Sequence, residues 1–308
     1  MSKPVVCIGS ALVDELFHAT ETILMHTTNN VASTKTAGGV SRNIAHNLSL
    51  LNIPVQLITV FGNDSEGDWL KQICKKAGIQ INAAFTSSSH NAKYTAIINP
   101  DGSMFTALLS NAALYHITPQ YLERQKSLLV TAAYLLVDAN IDVDTVNWLV
   151  KFSNESGIPL IIEPVSVPPA KSVTRADLKG VYLITPNEEE LPALCSNTAT
   201  TVEAQIKELL DRGIKNVWLH RGAKGSTIYN ATETIHLDAP DTNIVDCTGA
   251  GDGSLAAFIM AQYIGKNNSD SLKIAHTLSA EILQVNGAIA SHISQKTLLE
   301  LIPKYYKL

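Results

Sequence analysis

Short apolar runs alternate along this chain with stretches of helical period. Runs of strand length fall at Val5 to Leu12, Gln56 to Val60, Tyr134 to Val137, Pro159 to Ile162, Gly180 to Ile184 and Asn216 to Leu219. Most are separated by segments in which apolar residues recur every three or four positions. That alternation predicts βαβ units and a doubly wound, mostly parallel α/β sheet flanked by helices. Val40, Ile44, Ala45 and Leu48, opened by Gly38 and Gly39, predict one helix; Trp69, Leu70, Ile73, Cys74 and Ala77, closed by Gly78, predict a second. Two segments break the rhythm. Glu15 to Lys35 and Lys93 to Ser110 read as extended, the latter divided by the turn Asn99-Pro100-Asp101-Gly102. They predict a small β-sheet lid, inserted at about 15–37 and 91–112 into a single α/β domain spanning 1–308, over the strand ends where ligands of such sheets bind.

Composition removes several classes of function. The 308 residues are 45% apolar and 17% charged, an ordinary globular balance. Lys and Arg number 23 against 28 Asp and Glu, a net charge of −5, so no basic surplus exists for a nucleic-acid polymer. The longest apolar stretch, Leu128 to Val137, is about half of what a membrane helix needs, and no span is expected. Val5 to Val13 contains Gly9 and Ser10 and runs into Asp14 and Glu15, which suits a first core strand rather than a secretion leader. Cys7, Cys74, Cys195 and Cys247 lie far apart without metal-ligand spacing. Reduced thiols and a cytoplasmic setting are expected.

The chemistry concentrates in Asp246-Cys247-Thr248-Gly249-Ala250-Gly251-Asp252-Gly253, which leads into Leu255, Phe258 and Ile259 at helical spacing. Gly249 and Gly251 let backbone approach a ligand, and the helix that follows points free amides and its positive dipole end at an anion. Asp252 in the same turn would repel a bound phosphate unless it takes a proton from the attacking group. A hydroxyl meeting a γ-phosphate satisfies both features. A capped, glycine-rich helix start is the plainer alternative. No Gly-x4-Gly-Lys-Ser/Thr loop and no protein-kinase motif set is present.

The full heptad resembles the Asp-Thr-x-Gly-Ala-Gly-Asp signature of the ribokinase-like, or PfkB, family of carbohydrate and nucleoside kinases, with Cys247 where Thr is commoner. Further motifs follow in the family's order: Gly9 to Asp14, Gly38-Gly39-Val40-Ser41-Arg42-Asn43, Phe61-Gly62-Asn63-Asp64 with Gly67, Pro186-Asn187-Glu188-Glu189-Glu190, and Gly222-Ala223-Lys224-Gly225. The resemblance implies that Asp14, Gly38, Gly39 and Asn43 bind sugar hydroxyls, that Asp252 is the base, and that the amides of Thr248, Gly249, Ala250 and Gly251 stabilise the transferred phosphate. It implies that Asn187 and Glu190 organise phosphate and Mg2+, Glu190 through water, and that Gly222 and Gly225 form a nucleotide loop. His220 stands where many members carry Thr or Ser. Asp246 and Asn286 are the candidates for a monovalent cation such as K+, as in ribokinase, and a homodimer through the lid occurs in many relatives.

Within the family, Gly38 to Leu48, Leu136 to Ile141 and Glu163-Pro164-Val165-Ser166 resemble the pseudouridine kinase branch, with Glu163 where that branch usually has Asp. Asp138 and Asn140 lie on one strand face and are candidates to contact the acceptor; ribokinase has Glu where Asn140 falls. Asn111 is a candidate to reach a base, or else a loop cap. The resemblance implies ATP-dependent phosphorylation of the 5'-hydroxyl of a ribosyl compound, pseudouridine foremost. A kinase of ribose, fructose or another nucleoside, and a non-catalytic ligand-binding regulator on the same scaffold, are the alternatives.

Overall fold

The computed structural model describes residues 2–196 and 198–306. In chain order the strands are β1 (Val5–Ile8), β2 (Leu12–Ala19), β3 (Val31–Gly38), β4 (Val55–Ile58), β5 (Val60–Gly62), β6 (Phe85–Ser87) and β7 (Lys93–Ile98). They continue with β8 (Met104–Ser110), β9 (Tyr134–Asp138), β10 (Leu160–Glu163), β11 (Leu183–Ile184), β12 (Asn216–His220), β13 (Ser226–Asn230) and β14 (Thr234–Leu237). The helices are α1 (Val40–Leu50), α2 (Ser65–Lys76), α3 (Pro119–Arg124), α4 (Lys126–Leu129), α5 (Val143–Ser156) and α6 (Val167–Val173). After them come α7 (Glu190–Ala193), α8 (Val202–Asp211), α9 (Ala250–Tyr263), α10 (Asn268–Leu283) and α11 (Gln295–Tyr305).

The main sheet has eight strands in the order β14-β13-β12-β11-β10-β9-β1-β4, parallel from β12 to β4 and closed at the other edge by the antiparallel β13 and β14. Successive residues of β1 point to opposite faces: Val6 and Ile8 join one core with Leu149 and Ile206, Val5 and Cys7 the other with Leu48 and Phe258. Both faces are therefore covered, as parallel strands require. Helix α9 is apolar all round from Leu255 to Ala261 and is buried along that length, wedged between the sheet, α1 and α10. This places its N-terminus, with Asp252, above the sheet's carboxyl edge.

A second sheet, ordered β3-β2-β7-β8, stands apart as the lid. β2 pairs parallel with β7, and the β7–β8 hairpin turns through residues 99–103 where Pro100 and Gly102 sit. Three sequence expectations change. The run Val5 to Leu12 is two strands in two sheets, broken at Gly9 (φ 143°), where a side chain would overlap the Asp138 carboxylate. The run Gln56 to Val60 divides likewise, β5 leaving to pair with β6. The run from Gly180 keeps only Leu183 and Ile184 as strand. Among the described residues no helix is long and apolar enough to cross a membrane.

Candidate active site

The floor of the site is built where the lid meets the main sheet. β3 ends at Gly38, and Gly39 (φ 96°) turns the chain into α1; a side chain on Gly38 would overlap the carboxylate of Asp14 on the paired strand β2. Beneath them lies Arg42, 2% exposed, whose Nε donates to Gly38 O at 3.1 Å and whose Nη2 donates to Ala37 O and to Asn43 Oδ1. A buried guanidinium needs nearby anions, and Asp14 and Asp252 supply them. Burial pushes the Asp14 carboxyl up to about 6, with Arg42 opposing the rise.

Asp138 does not contact the cleft, contrary to its sequence assignment. It is 0% exposed, and Oδ2 accepts from Ser10 N at 2.7 Å, Ser10 Oγ at 2.6 Å and Ser41 N at 3.0 Å. A strand-end carboxylate has been spent on tying the β1 exit loop to the start of α1, which fixes Gly39 and Asn43. Ser10 and Arg42, both within motifs quoted above, carry this framework; an isolated sequence shows no difference between a buried and a surface polar group.

Asp252 sits in the first turn of α9, and its Oδ2 accepts from Asn43 Nδ2 at 2.7 Å. Burial pushes its carboxyl up to about 7; the Asn43 bond and Arg42 pull it down, while Asp138 and Asp14 add to the rise. A carboxyl poised near neutrality suits a general base. The amides before it are not equivalent. That of Thr248 donates to Asp246 Oδ1 at 2.8 Å and that of Ala250 makes a long bond of 3.4 Å to Cys247 O, while those of Gly249 and Gly251 have no acceptor among the described residues. The glycines differ as well: Gly249 has φ 72° and presses on Ala288, whereas a side chain on Gly251 would meet nothing within 4 Å. The Thr248 amide is therefore taken up by Asp246 within the loop, and the amides left open in this cradle are those of Gly249 and Gly251.

Beside this cradle lies a cavity of about 430 Å³ lined by His220, Gly222, Gly225, Ala250, Gly251 and His276, among others. His220 closes β12, with its ring 4.2 Å from Trp218. Burial, with His276 nearby, drops its imidazole to about 3. It thus presents a neutral aromatic wall to this cavity. Lys224 leaves the cavity to meet Glu188 at 3.4 Å on the surface.

Asn187 lies beside His220 in a single parallel bridge, and its Nδ2 donates to Glu190 Oε1 at 2.9 Å, its backbone amide to Oε2 at 3.0 Å. Burial raises the Glu190 carboxyl; the Asn187 bonds oppose the rise. Glu163, at the end of β10, faces the charges of both Glu190 and Asp252. Burial and those charges hold its carboxyl well above the usual range, against the Thr185 hydroxyl bond. Its place in this row was not read from sequence, because only the sheet order sets β10 and β11 side by side. Asp246 Oδ2 accepts from Gly287 N at 2.8 Å and so joins the loop bearing Asn286. Asn111, between β8 and the following turn, and Asn140, just past β9, line a separate cavity away from Asp252.

A carboxylate held at an anion-binding helix start is useful if it accepts a proton while phosphate is transferred, which marks a phosphotransferase with an alcohol acceptor. The chain belongs to the pfkB family of carbohydrate kinases, whose profile matches residues 2–295. It is 28% identical over 275 residues to the uncharacterized sugar kinase YeiI of Escherichia coli, covering 87% of this chain and 74% of that protein. It is 27% identical over 289 residues to the pseudouridine kinase of the same organism, covering 91% and 90%. The structure of Arabidopsis thaliana ribokinase complexed with ribose and ATP has the same fold, with a TM-score of 0.85 over 98% of this chain and 99% of that one, at 23% identity. The protein is thus a sugar or nucleoside kinase with the ribokinase-like fold.

Proposed function

We propose that this kinase transfers the γ-phosphate of ATP to the 5'-hydroxyl of pseudouridine. The observation that supports the transfer is the 2.7 Å bond between Asn43 and Asp252: it joins the carboxylate taken here as the base to the Gly38 to Asn43 segment taken as the sugar side, in the same helix start as the Gly249 and Gly251 amides. The acceptor oxygen attacks the γ-phosphorus, its proton passes to Asp252, and the bond to the β-phosphate oxygen breaks to release ADP. The amides of Gly249 and Gly251 stabilise charge on the transferred group. Magnesium, when bound, supplies charge neutralisation across the phosphates. Glu190, its oxygens fixed by Asn187, would help to hold it; the described residues offer no cluster of three metal-ligating side chains that would enclose it. A monovalent cation would find an anion in Asp246, although both oxygens already brace backbone amides.

Choice of acceptor rests on the likeness to the E. coli pseudouridine kinase over nine-tenths of both chains. The lid's outer strand exposes Met104 at 60% and Leu108 at 66%, and a second copy, lid against lid, would cover them. Light scattering showing only monomer at working concentration would remove that dimer. For the reaction, ADP release is measured with pseudouridine, uridine, adenosine, ribose and fructose. Pseudouridine should have the highest kcat/KM. Turnover of ribose alone makes this a sugar kinase, and ligand binding without any turnover makes it a regulator.

A further inference from the structure

We infer that Tyr306, the residue that caps the end of α11, is a positioning residue for the nucleotide and acts through His276, a wall of the cavity beside the Gly249 and Gly251 amides. This deepens the ATP-dependent reading above and rests on it. The family profile stops at residue 295, so the family motifs say nothing of Tyr306, and its role follows from contacts within this chain.

Tyr306 does not itself line the cavity. Its Oη lies 2.9 Å from His276 Nδ1 and 3.1 Å from the Asp238 carbonyl oxygen. On the other side of the imidazole, Nε2 lies 2.7 Å from Ser226 Oγ, which accepts from Trp218 Nε1 at 2.8 Å. Counting protons gives this series of bonds one direction, because an indole N–H only donates and a carbonyl only accepts. Tyr306 donates to Asp238 O and accepts from Nδ1–H of His276; the bare Nε2 accepts from the Ser226 hydroxyl. Each bond then holds one proton and none is left over. The other tautomer would turn the Tyr306 hydroxyl away from Asp238 O. It would also aim the indole and imidazole N–H groups together at Ser226 Oγ, whose own proton would find no acceptor in the series.

The arrangement fixes what His276 offers a ligand. Burial, with His236 nearby, drops its imidazole to about 4, against the bond to Asp238 O, so the ring is neutral near neutrality. Both nitrogens are taken, which leaves ring carbon to face the cavity. Direct contact between Nδ1 and Asp238 O is longer, at 3.3 Å, so the phenol is the main tether of that edge. Trp218, at the inner end of the series, has its ring 4.2 Å from that of His220, a second neutral imidazole of the same lining. The outer end is firm as well, because Asp238 follows Leu237 against Gly225 (φ 83°), where a side chain would overlap Leu237 O. Two flat uncharged surfaces suit a planar heterocycle held by packing rather than by hydrogen bonds to these histidines. Such packing depends on how the His276 ring is turned, and Tyr306 sets that turn.

The test follows ATP dependence in the whole enzyme. Tyr306→Phe keeps the ring and removes the hydroxyl; KM for ATP should rise about fivefold, with kcat and the acceptor KM as in the wild type. His276→Ala should raise the ATP KM at least as much, and Tyr306→Phe added to it should raise it no further. Nitrogen NMR of the histidine-labelled enzyme should show His276 as the Nδ1–H tautomer; an Nε2–H ring overturns the series of bonds and the inference with it. An ATP KM that His276→Ala raises and Tyr306→Phe does not overturns the inference alone. So does a loss shared equally between ATP and acceptor, which marks general loosening, or an effect of Tyr306→Phe that persists without the histidine. An ATP KM that ignores both substitutions places the nucleotide outside this cavity and overturns the reading beneath.

Discussion

Asn43 and Asp252, 209 residues apart, are joined by a hydrogen bond of 2.7 Å from Nδ2 to Oδ2. The bond ties the sugar-side helix α1 to the phosphate-side helix α9, and it also sets how readily Asp252 gives up its proton. Loss of the carboxylate in Asp252→Asn should lower kcat about a thousandfold while leaving the affinity for an ATP analogue nearly unchanged, because the Gly249 and Gly251 amides remain. Near-normal turnover in that variant would remove Asp252 as the base.

The pH dependence follows from the same bond. Asp252 must be ionised to accept a proton, and its carboxyl stands at about 7 in the free enzyme, so kcat/KM should rise through neutrality and level off above it. Asn43→Ala removes a contact that lowers this value and should move the rising limb to higher pH. Stability runs the opposite way. A carboxyl raised from 3.8 to about 7 favours the folded state fully only below its unfolded value, and that contribution fades as pH climbs to its folded value. Asp252→Asn should therefore raise Tm more at pH 8 than at pH 4. A constant gain across that range contradicts the raised carboxyl.

The two glycines of the cradle separate folding from binding. Gly249 has φ 72° and lies against Ala288, so Gly249→Ala should cost about 2 kcal/mol in a urea melt. Gly251 has ordinary backbone and open space where a side chain would go. Gly251→Ala should keep the wild-type melt and weaken ATP binding about tenfold by intruding on the anion. Equal effects of the two substitutions on binding and stability would show that Gly251 is a packing glycine as well.

Which parts were legible from sequence has a physical pattern. Parallel strands buried on both faces leave continuous apolar runs, so β9, β10 and β12 could be read directly. The β13–β14 hairpin could not, because Ser226-Thr227-Ile228-Tyr229-Asn230 is half polar: its hydroxyls turn inward, Ser226 Oγ to Trp218 Nε1 at 2.8 Å and to His276 Nε2 at 2.7 Å. The break at Gly9 was hidden because both daughter strands are apolar. In the site, chain-local motifs placed Asp14, Asn43, Asn187, Glu190 and Asp252 in one cleft region. Placements that depend on long-range packing left no mark in the sequence, as with Asp138 buried below the floor and Glu163 beside Glu190.

Asp138 provides the sharpest test of that division. If its carboxylate is a brace, Asp138→Ala strips acceptors from three backbone amides, those of Ser10, Ser41 and Asn140, and from the Ser10 hydroxyl in a fully buried place. It should then lower stability by about 3 kcal/mol. Full stability combined with a raised acceptor KM would return Asp138 to the acceptor-contact role.

The lid's attachment gives the last prediction. Glu66, at the start of α2, receives Lys35 of β3 at 2.6 Å and Lys93 of β7 at 2.8 Å, and Lys93 also reaches Glu15 of β2 at 3.2 Å. One carboxylate thus fastens two lid strands to the main domain, and Lys93 ties the third, β2, to them. Burial alone would raise the Glu66 carboxyl, but the two lysines hold it below the usual range, so it stays ionised wherever the enzyme works. Partly exposed pairs of this kind add at most about 1 kcal/mol to stability. Their larger effect should be on lid position, because a closed lid orders the acceptor and excludes water from the phosphate. Glu66→Gln should leave Tm almost unchanged, raise the acceptor KM about two- to fivefold and increase ADP release without acceptor. Added salt should do the same to the wild type and little more to the variant. An acceptor KM that ignores both the substitution and the salt would show that the lid closes without help from this latch.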